Sequence, residues 1–169
     1  MCLGPDPTDP EAMSNLTLHP KPGHAALRRG RVAQPGQIYL VTFTTHGRQP
    51  LFADPSLAMV AAPLLADARR WRTSAVLAWV LMPDHWHGLV ELGAGDTLAR
   101  VVRDLKVHTA RVVRAARPAT RVWARGYHDH AVRTDEVLRD VARYVVMNPV
   151  RAGLVRRAGD YPYWDAAWL

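Results

Sequence analysis

The sequence predicts an α+β domain, an antiparallel sheet packed against helices, and three stretches carry that prediction. "QIYLVTFTTHG" (37–47) is a β-branched and aromatic run, a composition suited to a pleated, half-buried surface. "SAVLAWVLM" (74–82) and "HWHGLVEL" (85–92) are two more strand-like runs separated only by Pro83 and Asp84, which leaves room for nothing but a tight hairpin. Residues 97–117 instead repeat apolar side chains every three or four positions, the period of an amphipathic helix.

The remaining elements follow in chain order. Residues 1–35 are rich in Pro, Gly and polar residues without hydrophobic period, so they read as a mobile arm ending in the basic patch "LRRGR". After the first strand, Asp54 and Pro55 make a helix N-cap and first turn; Leu57, Val60, Ala61, Leu64, Leu65 and Ala68 continue the period to Trp71. Pro63 is expected to kink or interrupt that helix. The long helix from Thr97 to Arg117 places Leu98, Val101, Leu105, Thr109, Val112 and Ala116 on one face and an arginine stripe, Arg100, Arg103, Arg111 and Arg114, on another. "YHDHAVR" (127–133) alternates as a short strand. Thr134 caps a last helix, with Asp135 and Glu136 in its first turn, which Asn148 and Pro149 close near Met147. The first six elements thus follow the βαββαβ order of a ferredoxin-like antiparallel sheet, with a C-terminal helix added. Residues 36–155 form the domain, 1–35 its basic arm and 156–169 a tail.

Composition narrows the class of function. A chain of 169 residues with 49% hydrophobic content supports one domain with a real core. The single cysteine, Cys2, excludes a disulfide framework and a cysteine zinc site, and fits a reducing cytosol. The chain carries no long uncharged apolar run, and its first residues lack the pattern of a signal peptide. With 22 Lys and Arg against 15 Asp and Glu the net charge is +7, which implies a polyanionic partner, nucleic acid before an acidic membrane surface.

Chemistry concentrates in "MPDHWHGLV" (82–90). In a strand, His85 and His87 project to one face while Trp86 points to the other, so two imidazoles form a preformed bidentate grip. Taken alone, such a pair is more often a pair of half-buried rings than a metal site. A second pair, His128 and His130, flanks the charged Asp129 and suits a solvated or DNA-facing surface better than a metal cradle. In "RDVARYVVMNPVRAGLV" (139–155), Tyr144 and Asn148 are four residues apart and share a helix face. A phenol is a candidate nucleophile, and an amide oxygen is a neutral hard ligand that can complete a His-His-Asn site for Mg2+ or Mn2+. The plain alternative is a packed tyrosine and a helix-ending asparagine.

"MPDHWHGLV", "WARGYHDHAVR" and "YVVMNPVRAGLV", in that order, resemble the HUH single-tyrosine transposases of small insertion sequences, in particular the REP-associated tyrosine transposases. "RRGRV" and "YLVTFTTHGRQPLF" resemble that branch as well, and "DYPYWDAAW" resembles its Tyr-Pro ending loosely. The resemblance implies a metal-dependent endonuclease and strand transferase acting on hairpin-forming single-stranded DNA. It assigns Tyr144 as nucleophile, forming a 5′-phosphotyrosine, and His85, His87 and Asn148 as ligands of Mg2+ or Mn2+. It also implies a monomer or homodimer in the cytoplasm, associated with the nucleoid.

Candidate DNA contacts are Arg29, Arg31, Arg100, Arg103, Lys106, Arg111, Arg114, His130 and Arg133. For any single arginine a solvated surface charge is the commoner role, and core packing is the commoner role for Trp123 and Tyr127. Two rival readings stand beside this one: another HUH nuclease, such as a replication initiator or relaxase, and a catalytically inactive basic module that binds nucleic-acid hairpins.

Overall fold

A computed structural model of the chain describes residues 35–67, 70–132 and 135–168, with side chains in the last stretch from Leu138 onward. Five strands, β1 (Ile38–Thr44), β2 (Ala75–Met82), β3 (His85–Glu91), β4 (His128–Val132) and β5 (Trp164–Ala166), form one sheet. Its order is β4-β1-β3-β2-β5, and every neighbouring pair is antiparallel. The described helices are α1 (Pro55–Ala66), α2 (Leu98–Ala116), α3 (Asp135–Val146) and the single turn α4 (Asn148–Arg151). The predicted ferredoxin-like order is therefore present up to α3.

Both sheet faces are covered. Tyr39, Val41, Phe43, Trp79, Leu81, Trp86 and Val90 share one core with the apolar faces of α1 and α2. Leu40, Ala78, Val80, Met82 and Leu89 share the other with Leu138, Ala142, Val145 and Val146 of α3 and with Tyr161 and Ala166. Trp86 is fully buried, stacked on Phe43 at 4.9 Å and 6.2 Å from Trp71. Gly88 lies two residues along the same face, where a Cβ would stand 2.5 Å from the Trp86 ring and 2.9 Å from the Ala78 carbonyl. Glycine there makes room for the indole.

Local chemistry explains most boundaries. The Asp54 carboxylate accepts from the Ser56 N–H at 3.0 Å and Pro55 fills the first turn of α1. Pro63 lies inside α1, which continues three residues past it and stops at Ala66 rather than running to Trp71. The proline ring withholds the N–H that the Met59 carbonyl would accept. Trp71 instead turns into the core, its Nε1–H donating to the Leu65 carbonyl at 3.0 Å. Thr97 caps α2 through Oγ1, 3.3 Å from the Arg100 nitrogen. The buried stripe of α2 takes in Val113, whereas Val112 is half-buried and Ala116 exposed.

Two C-terminal features differ from expectation. Pro149 does not simply end the last helix: α3 stops at Val146, and Asn148 opens a separate short turn with Pro149 in its first positions, which suits a residue without N–H. The tail also supplies β5, too short to carry a period of its own. Its approach is fixed by Tyr161, whose hydroxyl donates to the Leu81 carbonyl at 2.7 Å, and by the Leu81 N–H, which donates to Tyr163 at 2.8 Å.

Candidate metal and nucleophile site

The site lies on the α3 face of β3. Met82 pairs directly with His85, so Pro83 and Asp84 form the two-residue turn expected and place His85 at the strand's first position. His85 is half-buried, its Nδ1 2.6 Å from an Asp84 carboxylate oxygen, and Arg48 Nη1 donates to the other oxygen at 2.9 Å. The His85 ring, and after it Arg48, hold the Asp84 carboxyl below its ordinary range in spite of burial. An ionised carboxylate accepts only, so the His85 nitrogen that faces it, Nδ1, carries a proton.

His87 is only 7% exposed. Its partner across the sheet is Thr42 of β1, whose Oγ1 hydrogen-bonds Nδ1. Nε2 is buried and meets no partner among the described residues. Burial foremost, then the neighbouring His85 and Arg151, pushes the His87 pKa down to about 3, so the ring is neutral at physiological pH. A neutral imidazole with an open nitrogen is a ligand-competent group.

Above the imidazoles stands Tyr144 of α3, half-buried, with its ring centroid 6.2 Å from that of His87; His87 in turn is 6.4 Å from His85. The Arg151 guanidinium covers the tyrosine, its carbon 3.7 Å from the ring centroid, a cation–π placement that orients the phenol. Asn148 begins α4 immediately beyond. Its Nδ2 donates to the Tyr144 and Val145 carbonyls at 3.2 and 3.0 Å, and among the described residues no hydrogen bond engages Oδ1. Among the described residues no group of three His, Cys, Asp or Glu side chains gathers around a cation-sized space. An amide oxygen is a neutral donor of the kind that can complete a cation site beside two imidazoles.

The other sequence candidates separate from this site. Arg100, Arg103, Arg111 and Arg114 are exposed, but they ride on α2, in the layer across the sheet from the histidines. Arg103 pairs with Asp104 at 3.1 Å, and Arg114 Nε donates to Thr120 at 3.1 Å. Lys106 is half-buried rather than a surface cation: its Nζ bonds the Ala124 and Gly126 carbonyls and lies 5.1 Å from the Phe43 ring. His130 is exposed on β4 opposite Leu40, on the same sheet face as His85 and His87. Trp123 belongs to the core, edge-on to Phe43 at 4.8 Å, with Nε1 donating to Thr109, and Tyr127 packs against the same core. Arg29, Arg31 and Arg133, with the Thr134 cap, fall outside the described residues.

Thr42, Asp84, Arg48 and Arg151 join the site without having been singled out from sequence. Thr42 had a signal, a polar residue in an apolar strand, but its facing partner depends on strand register. Arg151 lies seven residues, about two helical turns, beyond Tyr144.

Fold and site together define a class: an α+β sheet domain in which two imidazoles of one strand face a tyrosine carried by a helix. Residues 34–148 match the family model described as Transposase IS200 like, and the chain belongs to that family. It is 28% identical over 100 residues to the REP-associated tyrosine transposase of Escherichia coli (strain K12), which takes in 59% of this chain and 58% of that protein. The chain thus spans little more than half the length of that relative. A solved REP-associated tyrosine transposase bound to a REP hairpin shares the fold, with a TM-score of 0.63 over 79% of each chain at 23% identity. No described helix is long and apolar enough to cross a membrane.

Proposed function

We propose that this chain breaks and rejoins single-stranded DNA that folds into hairpins, through a covalent bond between Tyr144 and a 5′ phosphate. The observation that carries the reading is the pairing of Tyr144 with His87, a neutral imidazole whose buried Nε2 has no partner among the described residues. His85, His87 and Asn148 are the residues to hold a divalent cation, Mg2+ or Mn2+. When bound there, the cation supplies Lewis-acid polarisation and charge neutralisation at the scissile phosphate.

The residues of the chain do the rest. Tyr144 Oη attacks phosphorus, the bond to the 3′ oxygen breaks, and the leaving oxygen takes up a proton as the phenol gives one up. One phosphodiester is exchanged for another, so the bond energy is retained for rejoining and no water or nucleotide is consumed. Arg151 holds the tyrosine ring in place. The α2 arginines, with Arg29, Arg31, His130 and Arg133, are the candidate backbone contacts, and binding should weaken steeply with salt. The division into arm (1–35), domain (36–155) and tail (156–169), action as monomer or homodimer, and a place at the nucleoid belong to the same proposal.

The test is a labelled single-stranded hairpin incubated with the protein and Mg2+ or Mn2+. A protein–DNA adduct that survives denaturation is expected, abolished by Tyr144→Phe and by His85→Ala. Wild-type cleavage by Tyr144→Phe would overturn the assignment. Hairpin binding without cleavage by the wild type would favour an inactive binding module.

A further inference from the structure

We propose that Thr42 and Asp84 are the positioning residues of the histidine pair, each accepting the Nδ1–H of one imidazole so that both rings keep Nε2 as a free lone pair. The inference rests on the cation reading above and assigns the supporting side chains that the reading leaves open. Two independent contacts carry it, Asp84 to His85 Nδ1 at 2.6 Å and Thr42 Oγ1 to His87 Nδ1.

For His85 the direction of the bond follows from the carboxylate, which has no proton to give. For His87 it follows from the far side of the ring. Among the described residues an Nε2–H in that buried position meets no acceptor, a donor stranded at a desolvation penalty of about 1–3 kcal/mol. A bare Nε2 is completed when a cation arrives. The threonine hydroxyl permits that choice, because it can accept from Nδ1–H as readily as donate to a bare Nδ1.

Both supports are held in place by β1 and the segment after it. Thr42 is the cross-strand neighbour of His87. Thr45, 1% exposed, holds the Asp84 carbonyl through its N–H at 2.8 Å and its hydroxyl at 3.1 Å. Arg48 holds the Asp84 carboxylate at 2.9 Å. The strand that pairs with β3 thereby fixes the backbone of the turn, the carboxylate on it and the rotation of the second ring. Partners of this kind set the tautomer and aim of ligating histidines, and losing one typically weakens metal affinity about 10- to 100-fold.

The experiment uses the full chain, Mn2+ alone as the probe, and two readouts: Mn2+ affinity by calorimetry, and histidine tautomers of the metal-free protein by long-range proton–nitrogen NMR. Thr42→Val preserves shape and strand preference; its unfolding midpoint reports that it folds. It should bind Mn2+ about 10- to 100-fold more weakly, with His87 leaving the Nδ1–H form. Asp84→Ala should do the same at His85. Thr42→Ser and Asp84→Asn, which still accept, should stay within about threefold of wild type, a rescue that a purely structural role would not produce. Wild-type affinity in both Thr42→Val and Asp84→Ala, or an Nε2–H tautomer at wild-type His87, overturns the inference. Nδ1–H tautomers in a wild type that takes up no Mn2+ would instead overturn the cation reading, and the inference with it.

Discussion

On one face of the sheet Phe43, Trp71 and Trp86 interlock beneath α1 and α2; on the other, β1 and β3 present Thr42, His85 and His87 beneath α3 and Tyr144. The same two strands supply both faces, and adjacent residues take opposite parts. Among the described residues Trp86 fills space with no polar partner for its Nε1, whereas His87 is tied at Nδ1 by Thr42 and left open at Nε2. The difference teaches that close packing on one side can aim chemistry on the other: an imidazole on a strand is only as fixed as the strand's reverse face.

The largest effect expected from breaking that arrangement is on stability. Trp86→Ala removes a fully buried indole and should lower unfolding free energy by about 3–5 kcal/mol, read from urea denaturation. Where it remains folded it should also bind Mn2+ more weakly; unaltered affinity would separate the two faces.

A somewhat smaller effect comes from the site face itself. The His87 pKa is about 3 in the folded chain against 6.5 ordinarily, so between those values the unfolded chain binds a proton that the folded chain does not. Its contribution to stability is complete above about pH 6.5 and is lost as pH falls toward 3, a few kcal/mol in all. The Asp84 carboxyl, held below its ordinary value of 3.8, weakens the fold in the same direction but only at lower pH. Urea midpoints measured from pH 7 to pH 5 should therefore fall in the wild type and stay nearly flat in His87→Asn. Equal slopes would mean that His87 is not buried neutral.

The smallest effect sharpens the contrast. Arg151 covers Tyr144 from outside, so Arg151→Ala should slow adduct formation about three- to tenfold while leaving the urea midpoint in place. Arg151→Lys should recover part of the rate.

The sequence carried the architecture well because periodicity does. The β-branched and apolar runs of β1 to β3 marked them as strands, the 3.6-residue period of α2 reported which of its faces is buried, and the Pro83-Asp84 spacing fixed the hairpin. His85, His87 and Tyr144 were legible as residue types at meaningful spacings. Their supports were not: Thr42 reaches His87 through cross-strand register, and Arg151 reaches Tyr144 through the break at Met147, neither of which is a local pattern. The α2 arginines were legible as a stripe, but the layer they occupy is a property of topology. β5 escaped notice because three residues hold no period, and the extension of α1 to Trp71 failed because the apolar rhythm of the sequence runs on after the helix has stopped at Ala66.

The fifth strand bears on how the chain behaves in a crowded solution. Among the described residues the sheet's edges are β4 and β5, five and three residues long, with Asp129 and Asp165 on them. Beneath β5 lies β2, "AVLAWVLM", eight apolar residues without a charge. Short charged borders are the ordinary defence against strand-to-strand association between molecules. The last few residues of the chain thus act as a selvage, keeping its most aggregation-prone segment from serving as a template for another copy.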